Sequence, residues 1–214
     1  MESGLHDSAD SESRVIRVLA ISGSPRRGGS TDTLLDYFLG GLADSSYCIE
    51  RVVLRDLDIL PCTACDGCRK SGRCVILDDM TGLYEKLYTY ERIVCAFPVY
   101  FMGPPAIAKA FVDRAQALWV RRFVHGEKAH APEGAERKGF LLSACGYETD
   151  DRDRKERFFS CSVTVVRAFY SACGVRYDGS LLFSGIEGPE DLETDGMIKA
   201  TVGSTGKRWI GPGS

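Results

Sequence analysis

Cys62, Cys65, Cys68 and Cys74 fall within thirteen residues, spaced C-x2-C-x2-C-x5-C. The thiolate is a soft ligand, and four of them from one flexible loop can grip a metal centre without help from elsewhere. Three cysteines at successive three-residue steps with a fourth close by is a spacing that iron–sulfur clusters use. Zinc also takes four thiolates, more often from two C-x2-C pairs set further apart. A loop of ordinary reduced thiols is the third reading, and the spacing leaves all three open.

A second group of residues could hold a phosphate. In Ser22-Gly-Ser-Pro-Arg-Arg-Gly-Gly-Ser-Thr31, hydroxyls at Ser24, Ser30 and Thr31 precede or open a helical pattern. Backbone amides at a helix start carry the positive end of the helix dipole, so such a turn holds an anion without a metal. Arg26 can add an ionic contact. No Lys follows the glycines, so this is not a nucleotide-hydrolysing P-loop, and it is not the G-x-G-x-x-G dinucleotide turn. A structural strand-to-helix turn is the plainer alternative.

Composition bounds what these groups can serve. The chain has 214 residues, 44% apolar and 27% charged, enough for one sizeable core. A formal charge of −3 lacks the basic footprint of a nucleic-acid binder. The longest apolar runs are too short to cross a bilayer, and the acidic start is not a secretory signal, so a cytoplasmic protein without membrane association is expected. In a reducing compartment nine cysteines suggest metal or redox chemistry rather than disulfides. Cys95, Cys161 and Cys173, lying in apolar or helical stretches, are expected to be small buried hydrophobes.

The elements that must position these groups alternate. Strands are predicted at 15–21, 47–54, 91–97, 139–144 and 175–183. Helices are predicted at 31–42 with Ser30 as N-cap, from Asp78-Asp79 to Leu87, from Pro104-Pro105 to about Val120, at 154–172 and at 189–209. The fourth of these carries a stripe of Phe158, Cys161, Val165, Phe169 and Cys173. Residues 1–13 read as a disordered tail and 14–210 as one domain, with the cysteine motif in a loop at 61–77. Alternation of this kind predicts a parallel sheet covered on both faces, with ligands beyond the carboxyl ends of its strands.

The motifs together resemble a known family. Gly23-Ser-Pro-Arg26 followed by Gly29-Ser-Thr31 is similar to the FMN-phosphate loop of flavodoxin-like NAD(P)H-dependent FMN reductases. Pro98-Val-Tyr-Phe-Met-Gly103 with Ala108-Lys-Ala-Phe-Val-Asp-Arg114 looks like that family's second flavin loop and the helix behind it. The cysteine spacing after Pro61 and ahead of Asp78-Asp-Met80 matches the iron–sulfur flavoprotein branch. The resemblance runs from about Val15 to Trp209. It departs at Met102-Gly-Pro-Pro105, where small polar residues are often found, and at 121–136, which lacks a clear counterpart.

What the resemblance implies is specific. The fold would be an α/β flavodoxin-like three-layer sandwich with five parallel strands in the order 2-1-3-4-5. FMN would place its phosphate at Ser24, Arg26, Ser30 and Thr31. Its ring would lie along Pro98, Val99, Tyr100, Phe101, Met102 and Gly103, flanked by Cys145 and Gly146. Cys62, Cys65, Cys68 and Cys74 would carry a [4Fe–4S] cluster facing a flavin across the interface of a homo-oligomer, a dimer or tetramer. Electrons would pass between a carrier such as ferredoxin or NAD(P)H, the cluster, FMN and a small-molecule acceptor. Because flavin N5 carries the chemistry, no catalytic side chain is expected, and His6, His125 and His130 read as solvated. Two alternatives stand beside this one: an FMN-only NAD(P)H-dependent flavin or quinone reductase, and a non-catalytic electron carrier or metal-binding module.

Overall fold

The computed structural model describes residues 15–40, 47–130 and 136–210. The tail at 1–13 and the end of the first helix expected at 41–42 lie outside the described residues. In chain order the elements are β1 (Ile16–Ser22), α1 (Ser30–Leu39), β2 (Tyr47–Val53), α2 (Tyr84–Thr89) and β3 (Arg92–Pro98). There follow α3 (Ala106–Arg114), α4 (Gln116–Trp119), β4 (Lys138–Cys145), α5 (Arg152–Ala172), β5 (Arg176–Ser184), α6 (Glu190–Glu193) and α7 (Gly196–Ile210). The strands form one parallel sheet in the order β2-β1-β3-β4-β5. The expected strand order is therefore the observed one.

β3 and β4 are buried at every position, as central parallel strands covered on both faces must be. Strand alternation divides the core in two. Val18 and Ala20 of β1 pack with Phe38, Val202 and Trp209 under α1 and α7, while Leu19 and Ile21 pack with Leu87, Phe111, Phe169 and Tyr170 under α2, α3 and α5. Among the described residues no helix is long and apolar enough to cross a membrane.

Several local expectations are corrected. Gly29, not Ser30, is the N-cap of α1, and it makes no side-chain cap. Asp78 caps a 3-10 turn at Asp79–Gly82 through a capping box with Thr81, and α2 starts after it. The helix expected to reach Val120 stops at Arg114, where the Tyr84 hydroxyl donates to the Arg114 carbonyl at 3.2 Å and the Ala115 amide turns back to Val112. α4 then covers the rest of the expected helix, and a π-helical turn at Val120–Val124 carries the chain beyond its expected end. The last helix is two, α6 and α7.

The stripe on α5 is also rotated. Its buried residues are Phe159, Ser162, Val166, Phe169, Tyr170 and Ala172. Cys95 and Cys173 are buried as expected, but Cys161 is exposed. Adjacent aromatics at 158 and 159 make the local period ambiguous. Phe159 enters the core, while Phe158 stacks on Tyr147 with ring centroids 4.1 Å apart.

Candidate active site

The carboxyl edge of the sheet holds two cavities. The first begins where β1 ends. Asp32, in the first turn of α1, is buried beneath the turn and gathers it from within. Its carboxylate accepts from the Ser22 hydroxyl and the Gly28 amide and pairs with Arg55 at 3.0 Å and Arg51 at 3.7 Å. Arg55 also donates to the Ser24 carbonyl at 3.2 Å. The helix start above it is open. With no side-chain cap, the first amides of α1 are left for an outside acceptor. The Ser30 hydroxyl is buried without a hydrogen-bond partner. An unpaired buried hydroxyl beside free helix-start amides is what a bound phosphate would satisfy.

Ser24, Arg26, Ser30 and Thr31 line one end of a cleft of about 230 Å³; Pro98, Val99, Tyr100, Cys145 and Gly146 line the other. The Val99 amide donates to the Ala144 carbonyl at 2.9 Å and the Ser143 hydroxyl to the Phe97 carbonyl at 2.7 Å, bracing the exits of β3 and β4 against each other. Burial pushes the Cys145 thiol up, so it sits in the cleft wall as a neutral group.

Phe101, Met102 and Gly103 lie beyond this lining. Tyr100 and Gly103 exchange two backbone hydrogen bonds, 2.8 and 3.0 Å, closing a two-residue turn. Phe101 and Met102 both have positive φ, 49° and 64°, the pattern of a type I′ turn and a costly one without glycine. Their side chains stand in solvent.

The second cavity, about 320 Å³, is lined by all four motif cysteines. Burial pushes the Cys68 thiol up, and charge on Cys74, Cys62 and Cys65 presses the same way. Among the described residues no three His, Cys, Asp or Glu side chains converge closely enough to hold a single metal ion.

The loop carrying these cysteines is fastened at both ends by one ion pair. Arg114, fully buried at the end of α3, donates to both carboxylate oxygens of Asp78, at 2.5 and 3.0 Å. It also donates to the Leu60 carbonyl just before the motif and the Ile76 carbonyl just after it, at 2.9 and 3.2 Å. The Leu60 and Met80 amides donate to Asp78. Burial alone would raise the Asp78 carboxyl, but Arg114 and these amides hold it below its ordinary 3.8. Burial pushes the Tyr84 phenol up, and its hydrogen bond with Cys74 adds to the effect.

A family model of the NADPH-dependent FMN reductases matches residues 16–142, more than half of the chain. The chain belongs to the NADPH-dependent FMN reductase family. Within it, the chain belongs to the iron–sulfur flavoprotein branch. It is 30% identical to an iron-sulfur flavoprotein of Methanocaldococcus jannaschii over 202 residues, covering 90% of this chain and 95% of that one. It is 42% identical to an iron-sulfur flavoprotein of Archaeoglobus fulgidus over 101 residues, 47% of this chain and 51% of that one. Two solved structures share the fold at low identity. One is an NAD(P)H:quinone oxidoreductase from Methanothermobacter marburgensis, with a TM-score of 0.69, 15% identity and coverage of 91% and 99%. The other is an FMN-dependent NADH-azoreductase from Bacillus anthracis solved with FMN, with a TM-score of 0.62, 14% identity and coverage of 91% and 100%. This FMN reductase is accordingly an FMN-dependent oxidoreductase.

Sequence reasoning missed several residues of the FMN reductase's two cavities. Ile186 and Glu187 line the cleft from the loop after β5, and the Glu187 carbonyl accepts from Arg26 at 3.2 Å. Arg114 and Asp78 stood inside the quoted motifs, but nothing local showed that they pair. The segment after α4 packs on the cysteine loop: Arg121 sits against Gly72, and the His125 ring lies 3.0 Å from the Arg69 carbonyl. His125 and His130 are both exposed.

Proposed function

We propose that the cleft binds FMN and that the four cysteines hold a [4Fe–4S] cluster, so that the protein moves electrons between a donor such as ferredoxin or NAD(P)H and a small acceptor. The observation that carries this reading is the arrangement of the cysteines. All four line one cavity at the carboxyl edge of the sheet. Their C-x2-C-x2-C-x5-C spacing is one that clusters use, whereas zinc more often takes two separated C-x2-C pairs.

For the flavin, Ser30 supplies an unused hydroxyl, α1 its free amides, and Arg26 a guanidinium tethered by the Glu187 carbonyl. Each charge-assisted hydrogen bond to a phosphate contributes about 1.5–3 kcal/mol. Pro98 to Tyr100 and Cys145 to Gly146 form the two walls between which a ring would be oriented, and Ile186 helps to exclude water. Bound there, FMN supplies the two-electron and one-electron chemistry, which explains why no acid–base pair is needed. The exposed turn at Phe101 and Met102 suits a second subunit covering the cleft, consistent with a homo-oligomer.

The test is the content of iron, acid-labile sulfide and FMN in protein purified without oxygen. About four iron, four sulfide and one FMN per chain are expected. FMN without iron or sulfide after anaerobic reconstitution would overturn the cluster and leave an FMN-only reductase.

A further inference from the structure

Both cavities described so far lie at the carboxyl edge of the sheet. The opposite edge, where strands begin and helices end, carries another, of about 390 Å³. Four arginines line it, Arg122, Arg137, Arg167 and Arg176, against one carboxylate among the described lining residues, Glu136. They arrive from separate places: the turn after α4, the residue before β4, the exposed side of α5 and the first residue of β5. Flavin chemistry uses none of them.

Two of the four have an evident structural task. Arg137 is buried and donates to the Tyr90, Leu87 and Cys173 carbonyls, closing the ends of α2 and α5. A cation there complements the negative end of each helix dipole. Arg176 is paired with Glu136 and Asp178. Arg122 and Arg167 have no such task. Among the described residues neither meets a carboxylate: Arg167 lies over the Tyr177 ring at 4.7 Å, and the Arg122 Nε is buried without a partner.

The arginines are also crowded. Two residues past the end of α5 lies Gly174, whose φ of +69° favours glycine. A Cβ built there would lie 2.8 Å from Arg122 Nη1 and 3.5 Å from Arg137 Nη1, so two guanidinium groups close on one point. Burial pushes Arg137 down to about 10, and Arg122 presses the same way. Like charges held this close are favourable when an anion sits among them. Guanidinium groups meet phosphate oxygens through paired N–H donors, which makes arginine the usual residue for that partner.

We propose that this cavity is a second ligand site, for a multiply charged phosphate compound, recognised by Arg122 and Arg167 over the fixed charge of Arg137. The proposal depends on neither the flavin nor the cluster reading.

The test is calorimetric titration of the FMN-loaded protein at fixed ionic strength with pyrophosphate, ADP, inorganic phosphate and, as a control, sulfate. Saturable binding of a phosphate compound at one site per chain is expected. It should weaken at least tenfold in the double variant Arg122→Met, Arg167→Met, with flavin absorbance and melting temperature unchanged. Tighter binding of ADP than of pyrophosphate identifies an organic phosphate as the occupant; equal binding identifies the phosphate groups alone. The single variant Arg167→Met, altered on an exposed helix face, serves if the double variant folds poorly. Undiminished affinity in the variants, or sulfate binding as well as every phosphate compound, overturns the proposal.

Discussion

The turn after β1 and the loop after β2 leave neighbouring strands at the same edge of the sheet, yet they are held in opposite ways. The first is seven residues between a strand and a helix, fixed by elements on either side and by Asp32 beneath it. The second has short 3-10 turns at Leu54–Asp56 and Gly67–Arg69, left-handed residues at Ala64 and Asp66, and a clamp brought from α3. A phosphate site made from a helix start is preformed wherever the helix forms. A thiolate site in irregular chain depends on a few long-range contacts, so the two should fail separately.

The sharpest test of that contrast is Arg114→Met. Removing one partner of a buried ion pair leaves the other uncompensated, at a cost of about 3–5 kcal/mol. Iron per chain should fall steeply while FMN binding survives, read from urea unfolding and from the iron-to-flavin ratio. Arg114→Lys should recover little, because an ammonium cannot span both carboxylate oxygens and two carbonyls. Iron loading equal to the parent protein would break the contrast. The converse variant, Asp32→Ala, strands Arg55 under the phosphate turn and should cost about 3 kcal/mol. FMN affinity should drop with the iron-to-protein ratio retained in reconstituted protein.

Ser30→Ala probes the same turn more gently. Loss of one bond to the phosphate should weaken FMN by about 1.5–3 kcal/mol. Because the hydroxyl has no partner in the protein itself, flavin-free stability should hold or rise slightly. A melting temperature lowered without flavin would contradict that picture. The smallest effect is with pH. Asp78 titrates below 3.8 in the folded chain, so its contribution is complete above that value and is lost as pH falls through the folded pKa. The stability difference between the parent protein and Asp78→Asn should stay level from pH 6 to about 4 and shrink below it.

Legibility followed the range of the interaction. The β-branched runs revealed each strand, and their alternation with helices revealed the layers, because burial on two faces leaves a local pattern. That the turn after β1 and the cysteine quartet each line a cavity was legible for the same reason, their residues being neighbours in sequence. The Arg114–Asp78 pair joins positions 36 apart, and no periodicity records it. Arg55 under the turn and Glu187 across the cleft were hidden likewise. On α5 the pattern was present but doubled, since Phe158 and Phe159 each fit a helical stripe and packing alone chose between them.

α3 has one end at the flavin-side turn, starting three residues after Gly103, and the other at the cysteine loop, through Arg114. Nine helical residues span about 14 Å. The helix is therefore a ruler: the distance between the two sites is written as a residue count. Inserting one residue would lengthen it by about 1.5 Å and swing Arg114 about 100° away from Asp78. Deleting one would turn it as far the other way. Side chains along this helix can drift, but its length cannot change without unfastening one site from the other.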